Sequence, residues 1–280
     1  MNRSRGGKVR LDRAVLAAGL APTRERARAL ILAGRVLVDG ARQDKPGREI
    51  PAHARIELLP GRRPYASRAG EKLAPVLDEL LPDVSGWRCL DIGASTGGFT
   101  DVLLRRGAAH VTAVDVGRGL LDQRLRDDPR VTCLEGVNAR HLGPAEVPVP
   151  CDLAVADVSF ISLTLVLPAI LPLIAPEGRL LVLVKPQFEA GRREAARGRG
   201  VVRDPAVRQA AVTKVAHFLA GAGWGILAVR ASPLPGPRGN REVFLLAARG
   251  PGLDAGALER AIAGEVRREP AGAPGAGSER

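Results

Sequence analysis

Hydrophobic residues gather in short apolar runs, and the stretches between them repeat with helical spacing. The runs fall at 87–92, 110–115, 130–134, 152–157, 179–185, 224–230 and 242–248. Runs of four to eight apolar residues bounded by turn signals are the pattern of strands buried on both faces. Helical patterns separate them, clearest at 97–106, 162–172 and 205–222, with another from Gly70 to Leu80. Strands alternating with helices predict an α/β fold, a doubly wound Rossmann-like sheet of seven strands. A loop alone, Ser232 to Arg241, joins the last two strands, so they should form an antiparallel hairpin.

The first sixty residues follow another rhythm. Leu11, Val15 and Leu16 mark one helical face, and Ala27, Leu30 and Ile31 a second, with Thr23 as its N-cap and Gly34 as its end. Val36 to Val38 reads as a strand running into the Asp39-Gly40 turn, Lys45-Pro46-Gly47 as another turn, and Ile56 to Leu58 as a closing strand. This predicts a small α+β domain over 1–60, with residues 1–8 disordered. A linker at 61–66 leads to a main domain at 67–250. A C-terminal segment at 251–280 follows, with an added helix within Gly252 to Arg268 and a disordered tail from Glu269.

Charge sharpens this division. The chain of 280 residues carries a net +12. Residues 1–63 hold 15 Lys/Arg against 6 Asp/Glu, so most of the excess sits in the small domain. A basic module on a near-neutral body suggests an arm that binds a polyanion, with Arg10, Arg13, Arg24 and Arg28 near one surface. Aromatic residues make up 3% of the chain and none precedes Tyr65, so phosphate and shape contacts suit this arm better than stacking on bases.

Cys89, Cys133 and Cys151 are widely spaced and lie in or beside apolar runs, which favours buried free thiols in a reducing compartment. No His/Cys cluster has metal-ligand spacing, and no metal is expected. The longest apolar stretch, Phe160 to Ala175, is interrupted by Pro168 and Pro172 and is too short for a bilayer. A cytoplasmic protein with no membrane partner follows, and a monomer is expected.

The candidate chemistry starts at Leu90-Asp91-Ile92-Gly93-Ala94-Ser95-Thr96-Gly97-Gly98-Phe99-Thr100, where a strand breaks through a glycine-rich turn into a helix. Ligands of open α/β sheets bind at such turns. The turn lacks the dinucleotide spacing G-x-G-x-x-G. It does fit G-x-S-x-G, the hydrolase nucleophile elbow. That reading needs a later acid and then a histidine, and His110, His141 and His217 are poorly placed to supply it. Asp115, ending the second strand, can accept ribose hydroxyls of a nucleoside. Asp157 ends the fourth strand, Lys185 ends the fifth, and Glu242 begins the last; Lys72 lies near the start of the body. Singly, each is also consistent with a surface or capping role.

Together, Lys72, Asp157, Lys185 and Glu242 match in order and context the Lys-Asp-Lys-Glu set of ribose 2′-O-methyltransferases of the FtsJ/RrmJ type. The N-terminal residues Leu11-Asp12, Gly19-Leu20, Thr23-Arg24, Ala27, Leu30-Ile31, Gly34-Arg35-Val36, Val38-Asp39-Gly40 and Lys45-Pro46-Gly47 resemble the RNA-binding domain first known from ribosomal small-subunit protein four. Blocks spanning nearly the whole chain resemble the TlyA (hemolysin A) family of rRNA cytidine-2′-O-methyltransferases. They include Ser67 to Leu73, Leu90 to Thr100, Ala156 to Leu163, Val184 to Glu189, Gly200 to Pro205 and Ser232 to Glu242. Val243 departs from the aromatic residue expected there.

The resemblance implies S-adenosylmethionine as methyl donor, held by Asp91, Gly93, Ala94, Ser95, Thr96, Gly97, Gly98, Phe99, Asp115 and Asn138. It implies a cytidine ribose 2′-OH of 16S or 23S rRNA, or both, as acceptor, within ribosomal subunits. Lys185 would take the hydroxyl proton, which requires a pKa below the usual lysine value near ~10.4. Lys72 as a second cation, together with partial burial, is expected to lower it, while Asp157 and Glu242 oppose the depression and are expected to orient the lysines and accept hydrogen bonds. Two competing readings remain: a non-catalytic RNA-binding assembly factor, and the membrane-lytic protein that the hemolysin label suggests.

Overall fold

The seven apolar runs pair into one sheet. The computed structural model describes residues 7–59, 64–147, 150–191 and 200–268. Its main sheet has the strands β6 (Arg88–Ile92), β7 (His110–Asp115), β8 (Val131–Glu135), β9 (Cys151–Ala156), β10 (Ile174–Val184), β11 (Trp224–Ala231) and β12 (Val243–Arg249). Their order across the sheet is β11-β12-β10-β9-β6-β7-β8. Neighbours from β10 to β8 are parallel, and β12 runs antiparallel to both β10 and β11, as the short loop before it requires.

Apolar layers cover both faces of the sheet, which is why its central strands read as continuous hydrophobic runs. On one face, α3 (Arg68–Leu80) and α4 (Gly98–Arg105) bury Leu73, Val76, Leu77, Val102 and Leu103, with Phe99 against Phe244. On the other, α8 (Pro205–Gly221) and α9 (Ala255–Arg267) bury Val212, Val215, Leu219, Ile262 and Val266. The helix α9 lies within the stretch expected to add one; the tail from Glu269 lies outside the described residues. Val243, the departure from the expected aromatic, is buried against Val184.

The expected helix at 162–172 is not continuous. It forms a 3₁₀ turn at Leu163–Leu165, the single turn α6 (Leu167–Ile170), and another 3₁₀ turn at Leu171–Leu173. Pro168 and Pro172 each stand in the first residues of a new turn, where a missing N–H costs least.

In the small domain, α1 (Leu11–Ala17) and α2 (Arg24–Leu32) pack on a sheet of β2 (Val36–Val38), β3 (Ala41–Gln43) and β5 (Ile56–Leu58) around Leu11, Val15, Ile31 and Val36. Thr23 caps α2 through the Arg26 N–H, as expected. Two further short strands, β1 (Lys8–Arg10) and β4 (Glu49–Pro51), pair antiparallel, so Lys8 is ordered where disorder was expected. Residues 1–6 lie outside the described set. The segment expected as a linker ends against the body: the Ala66 N–H donates to Asp101, and Arg105 lies over the Tyr65 ring.

Candidate active site at the rim of the sheet

Three parallel strands deliver the candidate residues to one edge. Asp91 is the next-to-last residue of β6, Asp157 follows β9, and Lys185 follows β10. Val184 stands opposite Val243 in the antiparallel pair, so Lys185 and Glu242 leave the sheet at the same end. The helix α3, capped by Ser67 through the Ala69 N–H, carries Lys72 toward them on its buried side.

The four polar residues form two ion pairs. Lys72 Nζ donates to Glu242 Oε2 at 2.6 Å, with both side chains buried. Lys185 pairs directly with Asp157 and also donates to Ser159 Oγ at 2.9 Å. The loop before β12 covers Glu242 so closely that a Cβ on Gly236 would lie 2.1 Å from Glu242 Oε1.

This pairing sets the charge on Lys185, and opposite to expectation. Burial works against the ammonium, but the carboxylates of Asp157 and then Glu242 outweigh it and hold Lys185 above the ordinary lysine range. Burial likewise opposes the Asp157 carboxylate, yet Lys185 and then Lys72 hold it below its ordinary range. The second cation, Lys72, is paired with Glu242, and at Lys185 the two carboxylates prevail. In the free protein Lys185 is therefore an ammonium.

A cavity of about 420 Å³ opens beside these pairs, in the range of small-molecule sites. Its walls include Lys72, Asp157 and Lys185, and also Asp91, Gly93, Ala94, Ser95, Thr96 and Phe99 from the glycine-rich turn. Gly93 has φ +83°, and a Cβ there would lie 2.6 Å from the Asp157 carbonyl oxygen, so this position needs glycine. Asp91 Oδ2 accepts from the Thr100 N–H and hydroxyl, while Oδ1 is buried with no hydrogen bond among the described residues. Burial pushes this carboxyl up to about 7, against the Thr100 hydrogen bonds.

An unmatched acceptor beside a glycine turn fits a ligand with an amino group, such as the amino-acid end of S-adenosylmethionine. Gly97 and Gly98 do not line the cavity. Their missing side chains make room for Leu125 and for Ser67 with α3. Asp115 accepts from the Ser95 and Gly117 N–H groups and so pins the turn, outside the cavity wall. Asn138 caps a 3₁₀ turn through the Arg140 N–H, also outside the wall.

Two features at the rim were not anticipated. Phe160 is 91% exposed, with φ +65°, three residues after Asp157, and its ring meets that of Phe188 at 5.1 Å. Buried Glu189 accepts from Ser162 Oγ at 2.6 Å and the Leu163 N–H at 2.7 Å, tying the loop after Asp157 to the segment after Lys185. An acid four residues past a strand-end lysine was the available signal.

In the small domain, Arg10, Arg13, Arg24 and Arg28 are all exposed, but they do not act alike. Arg10 and Arg24 both donate to fully buried Asp12 at 2.9–3.1 Å. These hydrogen bonds outweigh burial and hold Asp12 down at about 2.

The FtsJ-like methyltransferase family profile matches residues 65–249, and the S4 domain profile matches residues 9–56. The 16S/23S rRNA (cytidine-2′-O)-methyltransferase TlyA of Mycobacterium tuberculosis is 46% identical over 239 residues, 85% of this chain and 89% of that protein. The chain belongs to the TlyA family of FtsJ-like methyltransferases. Hemolysin A of Brachyspira hyodysenteriae is 38% identical over 84% of this chain and 97% of its own length. A solved structure from Streptococcus thermophilus, also bearing the hemolysin name, has a TM-score of 0.70 at 37% identity, covering 93% of this chain and 96% of that one. Despite that name, no helix among the described residues of this TlyA family member is long and apolar enough to cross a membrane. No cluster of His, Cys, Asp and Glu that could hold a metal occurs among them either.

Proposed function

We propose that the protein methylates a cytidine ribose 2′-OH in ribosomal RNA, with S-adenosylmethionine as donor. The observation that carries this reading is the pairing of Lys185 with Asp157 and of Lys72 with Glu242 on the wall of the cavity formed by the glycine-rich turn. The 46% identity to an rRNA (cytidine-2′-O)-methyltransferase supports the choice of acceptor.

Asp91, Gly93, Ala94, Ser95, Thr96 and Phe99 would hold the donor. When bound, it supplies an already activated methyl on a sulfonium, so the protein's work is positioning and removal of one proton. Lys185 projects into the cavity between Asp157 and Ser159, which fix its amine. As an ammonium it orients the hydroxyl oxygen by donating to it. To accept the hydroxyl proton it must first lose its own. Burial already opposes its charge, and a positive charge seated beside it would favour loss of that proton to water. Lys72 and Glu242 hold each other and the neighbouring loop in place. Phe160 offers an exposed ring at the rim on which an unpaired base can stack.

The basic small domain would bring structured RNA to this edge, and the protein would act as a cytoplasmic monomer on ribosomal subunits. Both subunits are the proposed targets. Lys185→Ala tests the reading. Calorimetric binding of S-adenosylmethionine should persist while methyl transfer to ribosomal subunits is lost; undiminished transfer would remove Lys185 from the chemistry.

A further inference from the structure

Positive charge from both domains converges at the mouth of the cavity. The small domain contributes Arg42 on β3, and the methyltransferase domain contributes Arg68 in the first turn of α3 and Arg238 from the loop before β12. All three line the same cavity as Lys72 and Lys185, with Asp44 the acid beside Arg42. Lys45 adjoins this group. It is held below its ordinary range first by burial and then by the charge of Arg238, with Arg48 adding and Asp44 opposing.

Arg42 and Arg238 are both exposed at this mouth. Arg238 also has φ +66°, a left-handed backbone that arginine rarely adopts. Its guanidinium lies over Gly200, where a Cβ would come within 2.5 Å of Nη1. Arg42, Arg68 and Arg238 thus place three guanidinium groups from two domains along the wall of one cavity. Guanidinium forks match the geometry of phosphate oxygens.

We propose that Arg238 and Arg42 close from the two domains on one backbone phosphate of the RNA strand, next to the ribose presented to Lys185. The clamp rests on the RNA methyltransferase reading above. It makes RNA binding and the docking of the small domain on the body a single event, because one anion bridges both.

The test uses the full chain with Arg42→Ala, Arg238→Ala and the double variant, and measures KM for ribosomal RNA at several salt concentrations. Each single change should raise KM about tenfold and lower the salt slope by about one. The double variant should resemble either single one, because both arginines hold the same phosphate. An unchanged KM, or a double variant near a hundredfold, would overturn the clamp. Arg238→Gly removes the strain and should keep the melting temperature while still raising KM; an unchanged KM in that variant would also overturn it.

Inorganic phosphate at matched ionic strength distinguishes the source of the anion. If it stabilises the wild type and not the double variant while KM for RNA is unaffected in the variants, the site takes free phosphate and the RNA assignment fails. Failure of the underlying reading looks different. The wild type would then transfer no methyl to RNA, and filter binding of RNA by the same variants would still decide the clamp.

Discussion

Replacing Asp157 with asparagine keeps the side chain's shape and removes the charge that holds Lys185 protonated. The two groups are in direct contact. Unit charges about 4 Å apart attract by roughly 4 kcal/mol at an effective dielectric of about 20, which is large enough to set the protonation preference of the amine. Glu242 remains as a second, weaker support for the ammonium. The Lys185 pKa is therefore expected to fall. The assay is the pH dependence of kcat/KM, which reports the free enzyme's essential groups. In the wild type, kcat/KM should climb about tenfold per pH unit from 6 to 9.5 without levelling, because Lys185 titrates above the ordinary lysine value. In Asp157→Asn the bend should move to lower pH than in the wild type, at a lower maximum because the amine is less well oriented. A bend that stays put or moves up would refute the electrostatic account of Lys185. The same pair constrains stability. The raised Lys185 contributes fully below pH 10.5 and is lost as pH rises through its folded value. The lowered Asp157 contributes fully above pH 3.8 and is lost as pH falls through its folded value. Between those limits this pair should leave stability flat.

Other residues give sharp outcomes. Gly93→Ala puts a Cβ 2.6 Å from the Asp157 carbonyl oxygen at φ +83°, so melting should show a loss of about 2 kcal/mol and calorimetry at least a tenfold weaker donor affinity. Asp12→Ala leaves Arg10 and Arg24 without their shared carboxylate; both are more than 40% exposed, so the cost is only about 1–2 kcal/mol, read as a lower melting transition of the small domain. With the Asp12 pKa at about 2, its contribution is complete above pH 3.8 and falls away as pH drops toward 2, which acid titration of the small-domain transition checks. Glu189→Gln loosens the loop carrying Ser159 and Phe160. Methyl transfer should fall about tenfold with donor affinity unchanged, and a variant with unaltered kcat would show that Glu189 only packs.

The central sheet was legible because strands covered on both faces must be apolar, so Leu153–Ala156 of β9 and Leu180–Val184 of β10 stand out as apolar runs. Strands β1 and β4 were not, because three residues such as Lys8-Val9-Arg10 carry no period. The apolar stretch at 162–172 looked helical by spacing, yet Pro168 and Pro172 restart the backbone there. At the site, the strand ends at Asp157 and Lys185 located the rim. The sequence could not say which lysine faces which acid, and that pairing reverses the direction of the Lys185 pKa. Nor could it separate the glycine that borders the cavity, Gly93, from Gly97 and Gly98, which admit Leu125 and α3. Asp115 and Asn138 read as ligand groups by position; their oxygens also accept from nearby backbone N–H groups, a local role the sequence did not show.

The most direct measurement maps methyl groups on ribosomal RNA after incubation of ribosomal subunits with labelled donor and either the wild type or Lys185→Ala. The account predicts label on a cytidine ribose 2′-oxygen with the wild type and none with the variant. Label on a base, or label at the same ribose with Lys185→Ala, would contradict it.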